Sequence, residues 1–343
     1  MLPNAKPIRE LHGLRPADLD DALLASTEPL VLRGLVAHWP AVRAGREGAG
    51  EAGRAASADA YLRRFYRDAT VVAMLGTRDI GGRFFYNDDL SGFNFASVRA
   101  RLDDVLQELA SHRGNPRPPA IYVGSTTVEA ALPGYREENP LDLGRRDALM
   151  SVWIGNQTRI AAHYDLPDNL ACVTAGRRRF TLFPPAQLAN LYVGPLDFTP
   201  AGQAISLVDL HRPDLERFPR FAQAMRHAQA AELEPGDAIF IPSMWWHHVE
   251  ALECLNVLVN YWWRQSPGYM DTPTNALMLS LLSIRDLPPA QRRAWQEIFR
   301  HYVFEAGSDT AAHIPAPARH VLGPIDDAGA RMLRAQLLKK INR

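Results

Sequence analysis

The sequence predicts a mainly β protein with flanking helices, a sandwich or barrel core after a mixed α/β lead-in and before a helical tail. The first observation is a series of short β-rich runs between residues 120 and 264. AIYVGS, LMSVWIGN, NLACVTAG, RRFTLFPP, DAIFIPS, HHVEAL and LNVLVNYWW follow one another, most bounded by Gly, Pro, Asn or Asp. Many such runs in series fold as a sandwich or barrel. The second is the return of a helical period from Thr272, with Leu277, Leu281 and Ile284 on one face. The third is size: 343 residues make one large elaborated domain or two.

Along the chain, PLVLRGLVAHWP (29–40) reads as a short strand ending at a Trp-Pro turn. Residues 44–56 are Gly- and Ala-rich without apolar periodicity and read as a flexible loop. Ser57 is placed to cap a helix carrying Tyr61, Leu62 and Phe65. VVAML (71–75) is β-like, and RFFYNDDLSGFNF (83–95) suggests a packed loop. Residues 97–112 carry Val98, Leu102, Val105 and Leu109 at helical spacing, and GNPRPP (114–119) breaks the pattern. In the tail, Pro288 starts a helix bearing Trp295, Ile298, Phe299 and Tyr302, and a last helix carries Leu333, Leu337 and Ile341. The expected divisions are a lead-in over 1–119, a β core over 120–265 and a helical region over 266–343.

Lys plus Arg and Asp plus Glu are both 38. That balance shows neither the basic footprint of a nucleic-acid binder nor the polybasic cluster of an anionic-membrane binder. No run reaches the roughly 18 uninterrupted apolar residues of a membrane span. The first residues lack the apolar core of a signal peptide. Cys172 and Cys254 are the only cysteines, so a disulfide framework is excluded and two buried free thiols are expected. Together these point to a soluble protein of a reducing, cytoplasmic compartment. Lys6, Lys339 and Lys340 are the only lysines. A buried cation anywhere between them is therefore an arginine.

His163-Tyr164-Asp165 is the first candidate site. On a strand, residues i and i+2 share a face, so imidazole and carboxylate could meet one ion. WWHHVE (245–250) supplies a third ligand, His247 or His248. Two His and one carboxylate on one face of an octahedral ion leave three positions open, the arrangement of non-haem Fe(II) oxygenases. The triplet alone carries little weight. Eleven His in a chain with 38 acidic residues give about one His-x-Asp/Glu match by chance, and there are two.

The surrounding blocks carry more. HYDLPDN, GRRRFTLFPPAQLANLY, RPDLERFPRF, PGDAIFIPSMWWHHVEAL and VNYWW occur in that order. They resemble the JmjC/cupin-like family of Fe(II)- and 2-oxoglutarate-dependent oxygenases. The likeness is to the asparaginyl hydroxylase that inhibits hypoxia-inducible factor and to its bacterial cupin-like relatives. It is good over about 149–264, extends to PLVLRGLVAHWPA and GRFFYNDDLSGFNF, and is loose in the C-terminal helices.

The resemblance implies a double-stranded β-helix, with His163, Asp165 and His247 holding Fe(II). His247 is selected because the family's distal ligand directly follows the WW pair. His248 then points to the opposite face. The family's cation for the far carboxylate of 2-oxoglutarate, usually Lys, falls on Arg178, while Arg177 and Arg179 point away. Asn169 matches a polar residue near the cosubstrate, Asn260 and Trp262 match residues lining the metal pocket, and Tyr122 is a hydrogen-bond donor to the far carboxylate. One departure stands out. The family member has Thr three residues before the first ligand, where this chain has Ile160. Trp245 and Trp246 read as core packing.

The resemblance implies hydroxylation of a C–H bond with O₂ and 2-oxoglutarate. The favoured substrate is a protein or peptide side chain. A small metabolite such as a free amino acid is the first alternative, and a non-catalytic metal-holding cupin-like binding protein the second. The apolar stripes of the C-terminal helices suggest a homodimer.

Overall fold

The computed structural model describes Leu2 and residues 5–342. The chain divides into two compact units, Met1–Arg264 and Gln265–Arg343. The lead-in of the first contains β1 (Leu30–Arg33), α1 (Pro40–Arg46), α2 (Gly50–Arg63), β2 (Thr70–Gly76), β3 (Phe95–Arg101), α3 (Leu102–Ser111) and β4 (Ala120–Thr127). Eight strands follow: β5 (Leu149–Gly155), β6 (Arg159–His163), β7 (Asp168–Ala175), β8 (Arg178–Phe183), β9 (Gln229–Leu233), β10 (Ala238–Ile241), β11 (Trp246–Ala251) and β12 (Asn256–Trp263).

These eight wind between two sheets. One sheet contains β10-β7-β12-β5 in that order, extended by β1 on one side and by β4, β2 and β3 on the other. The second contains β9-β8-β11-β6, flanked by the short strands Lys6–Pro7 and Arg83–Phe84. Except for the β8–β9 pair, successive strands fall in alternate sheets. That is the winding of a double-stranded β-helix, a cupin-like jelly roll.

Burial explains the near-continuous apolar runs. Every residue of β7 is buried. Leu170 and Cys172 pack under the helices with Leu62, Leu102 and Leu106. Ala171 and Val173 join Phe180, Leu182, Ile239 and Leu258 between the sheets. A strand covered on both faces turns apolar residues to both sides, so alternation disappears from its central run, Leu170–Val173. The outer face of the second sheet is covered by the segment after β8, where Leu191, Val208 and Phe221 pack on Phe183 and Trp246.

The structure corrects several sequence expectations. Residues 44–56 are not a flexible loop: they close α1 and, after a short link, form the first half of α2, and Ser57 lies inside α2 rather than at its cap. Alanine has the highest helix propensity, and this face is made of residues too small to mark a hydrophobic period. Gly45 shows why. A Cβ there would lie 2.0 Å from the Thr174 carbonyl oxygen of β7, so α1 approaches the sheet backbone to backbone. The helix expected over 97–112 begins only at Leu102. Val98 belongs to β3, which pairs with β2 in the register Ala73↔Val98, and sheet pairing overrides the local period. Both cysteines are free, but only Cys172 is buried; Cys254 is half-buried.

Trp245 lies in the core between the sheets and donates its indole N–H to the Thr27 carbonyl at 3.0 Å. Trp246 packs on the other side, edge-on to Tyr164. The second unit contains α4 (Pro273–Ser283), α5 (Pro289–Phe299) and α6 (Asp327–Ile341). Among the described residues no helix is long and apolar enough to cross a membrane.

Candidate metal centre and its cavity

β6 ends at His163, which pairs in register with His247 of β11. Their rings lie 4.3 Å apart. Asp165 is two residues beyond the end of β6, so strand alternation does not place it. The turn before β11 does. The Met244 N–H donates to the Asp165 carbonyl at 2.9 Å, the Ser243 hydroxyl to the Leu166 carbonyl at 2.6 Å, and the Ser243 N–H to Asp168 Oδ1 at 2.9 Å. Met244 adopts a left-handed backbone, φ 69°, which costs a non-glycine residue about 1–2 kcal/mol. The three stapling bonds hold that strained turn against the His163–Asp168 loop.

One ligand atom from each of His163, Asp165 and His247 lies within 4.8 Å of the other two. The tautomers suit a cation. His163 Nδ1 bonds the Ala161 carbonyl at 2.9 Å, and His247 Nδ1 bonds the Trp245 carbonyl at 3.0 Å. A carbonyl only accepts, so each Nδ1 carries a hydrogen and each neutral ring keeps its Nε2 lone pair for a ligand. His247 Nε2 lies 3.5 Å from Asp165 Oδ2. Burial, and then His247, lowers the His163 imidazole to about 4, so that ring is neutral at pH 7. Burial opposes charge on His247, but Asp165 outweighs it and raises that group. Burial likewise works against the Asp165 carboxylate, and bonding to His247 holds it below its ordinary value. Two nitrogen lone pairs and one carboxylate on a shared point fit an Fe(II)-type cation.

The three face a cavity of about 450 Å³. Arg178 lines it and is 2% exposed. Its Nε has no partner, one terminal nitrogen donates to the Trp153 carbonyl at 3.4 Å, and no ion pair to it occurs among the described residues. Burial lowers its guanidinium to about 10, against an opposing effect from Tyr122; it stays charged at neutral pH. The neighbours on either side differ: Arg177 pairs with Glu253 and Glu232, and Arg179 with Glu232. A buried cation without a counter-charge, facing a cavity, is a place for an anion.

Tyr122 is buried against the same cavity, and desolvation raises its phenol. Asn169, Asn260, Trp262 and Ile160 also line it. Ile160 offers only an apolar surface. His248 faces away, buried, with neither ring nitrogen hydrogen-bonded and Glu250 Oε2 3.9 Å from its Nε2.

Sequence reasoning missed Trp153, Phe84, Met74 and the 200–205 segment, which complete the walls. Trp153 had a signal. Met150, Val152 and Ile154 pack under the helices, so alternation along LMSVWIG turns Trp153 inward. The 200–205 segment has no periodic pattern to read.

Comparison with known proteins gives a consistent picture. The cupin-like domain family matches residues 16–269. Lysine-specific demethylase JMJ31 of Arabidopsis thaliana is 35% identical over 151 residues, 40% of this chain and 27% of that protein. Human HSPB1-associated protein 1 is 32% identical over 158 residues, 44% of this chain and 31% of its own. Lysine-specific demethylase 8 of Xenopus tropicalis is 26% identical over 266 residues, 77% of this chain and 54% of its own. The alignments thus span about a quarter to a half of the length of these curated relatives.

Proposed function

The chain belongs to the cupin-like domain family, the JmjC-like family of Fe(II)- and 2-oxoglutarate-dependent oxygenases, and from that premise we propose that it is an oxygenase that hydroxylates a C–H bond on a protein or peptide side chain. One observation carries this reading. A His-His-Asp set, with His247 buried and the other two half-buried, and a buried cation with no counter-ion among the described residues line one cavity.

In this reading His163, Asp165 and His247 hold Fe(II). The metal supplies the oxidation, coupling O₂ and the conversion of 2-oxoglutarate to succinate and CO₂ to C–H hydroxylation. The chain's own residues bind and orient. The Arg178 guanidinium fork takes the far carboxylate of 2-oxoglutarate, with the Tyr122 hydroxyl as a further donor. Asn169, Asn260 and Trp262 wall the chamber, and Ile160 leaves the carboxylate without a hydroxyl partner at its position. Removing hydrogen in this way needs no protein general base. The peptide preference draws on two relatives named as demethylases of lysine. A small metabolite or a binding role without turnover would use the same groups. The two free cysteines support a reducing, cytoplasmic setting.

The test is succinate release from 2-oxoglutarate by protein loaded anaerobically with Fe(II) and then given O₂. Release that requires His163 establishes the oxygenase. Absence of both release and 2-oxoglutarate binding leaves the metal-holding binding protein as the reading.

A homodimer through the C-terminal helices belongs to the same proposal. Leu282, Trp295, Ile298, Leu338 and Ile341 are exposed on them, an unusual load of apolar surface for a monomer. Sedimentation of the full chain should give a dimer, and Leu282→Glu with Leu338→Glu a monomer. A wild-type monomer at micromolar concentration would sink the idea.

A further inference from the structure

Trp153 lies at the meeting point of the groups assigned to the cosubstrate. Its carbonyl accepts from Arg178 at 3.4 Å. Its ring packs on Tyr122 and edge-on against Trp262, with centroids 6.1 and 5.5 Å away. Its indole N–H donates to Asn260 Oδ1 at 2.7 Å, and Asn260 Nδ2 donates in turn to Asn169 Oδ1 at 3.1 Å.

The direction of this relay is not free. An indole nitrogen can only donate. Asn260 must therefore turn its oxygen to Trp153 and its amide N–H groups toward Asn169. Asn169 must then meet Asn260 with its oxygen, which leaves its own NH₂ group for the cavity. Asn260 is 1% exposed and Asn169 7%, so water does not offer either amide an easy alternative. Among the described residues no acceptor meets Asn169 Nδ2, and that nitrogen is not among the fully enclosed unpartnered atoms. A donor pair of set polarity thus faces the same cavity as the metal ligands and Arg178.

We propose that Trp153 is a positioning residue of the cosubstrate chamber. Through Asn260 it locks Asn169 as a donor toward an anionic oxygen, which selects ligands carrying a second carboxylate besides the one held by Arg178. The proposal rests on the 2-oxoglutarate reading above. Trp153→Phe keeps a packed ring but removes the indole N–H that sets the relay's direction. Asn169→Asp keeps the shape of Asn169 but replaces its donors with acceptors.

The experiment is calorimetric titration of 2-oxoglutarate into Mn(II)-loaded protein, which needs no turnover, with thermal melts of each variant. Trp153→Phe should weaken binding about tenfold, the loss of one well-directed bond to a charged group, at nearly unchanged melting temperature. Asn169→Asp should bind more weakly than Asn169→Ala. A structural role for Asn169 predicts the reverse order, because Ala leaves a gap and Asp does not. Equal binding by Trp153→Phe and wild type, or better binding by Asn169→Asp than by Asn169→Ala, overturns the proposal. If wild type fails to bind 2-oxoglutarate, the cosubstrate reading itself fails, and the inference with it.

Discussion

Replacing Arg178 with methionine should abolish 2-oxoglutarate binding and, without cosubstrate, make the protein more heat-stable. The two effects have one cause. Arg178 is a buried cation with, among the described residues, no partner for its Nε and no carboxylate bonded to it. Burial, against an opposing effect from Tyr122, lowers its guanidinium to about 10, so the surroundings disfavour the charge. Apolar replacements of buried charged groups gain about 1–4 kcal/mol when they pack well. For a unit of this size 1 kcal/mol shifts the melting temperature by roughly 2–4 °C.

The binding loss runs the other way. Removing one partner of a buried, hydrogen-bonded charge pair costs about 2–5 kcal/mol, at least about 30-fold in affinity. Thermal melts with and without 2-oxoglutarate read both effects together. Wild type rises with ligand because only the folded state binds it, whereas Arg178→Met starts higher and does not respond. A variant that melts lower and still responds to the ligand would make Arg178 a structural residue.

Asp165→Asn should weaken divalent-metal binding by more than about a hundredfold, beyond the 10–100-fold typical of losing a supporting group behind a ligand, and succinate release should fall below detection. The substitution keeps the shape of the side chain. It also keeps the Met244 bond, which goes to the Asp165 backbone carbonyl rather than to the carboxylate. The stapled turn therefore survives, and a folding defect is not the expected result. His163 and His247 retain their carbonyl bonds through Nδ1, but two neutral imidazoles do not neutralise a divalent charge. Titration with Mn(II) followed by its paramagnetic signal measures the loss. Undiminished metal affinity would remove Asp165 from the site.

Much of the architecture is legible in the sequence. The centres of β7 and β12, Leu170–Val173 and Val257–Val259, are apolar without a break because helices cover one face and the second sheet the other. The same burial makes alternation useful next to Arg178, where Arg177 and Arg179 reach Glu253 and Glu232 and the residue between them turns inward to the cavity. The α1–α2 region is illegible for the opposite reason. Its buried positions include Gly45, Ala55 and Ala58, and a period made of small residues leaves no hydrophobic trace. Asp165 shows a subtler limit. It lies beside the two histidines, yet its position depends on a turn some eighty residues later that bonds its carbonyl. No local period encodes that.

The sequence by itself determines the β-rich core, the His, His and Asp available to a metal, and the use of arginine wherever a buried cation is needed, since no lysine lies between Lys6 and Lys339. The tertiary structure alone decides that Asp165 reaches the histidines from outside the strand, that Arg178 finds no counter-charge among the described residues, and that Trp153 sets the direction of two amides. Sequence patterns record which residues leave water, because burial repeats with the period of the element. Hydrogen-bond direction and charge pairing depend on what lies across the sheet, and only the closed barrel brings those partners together.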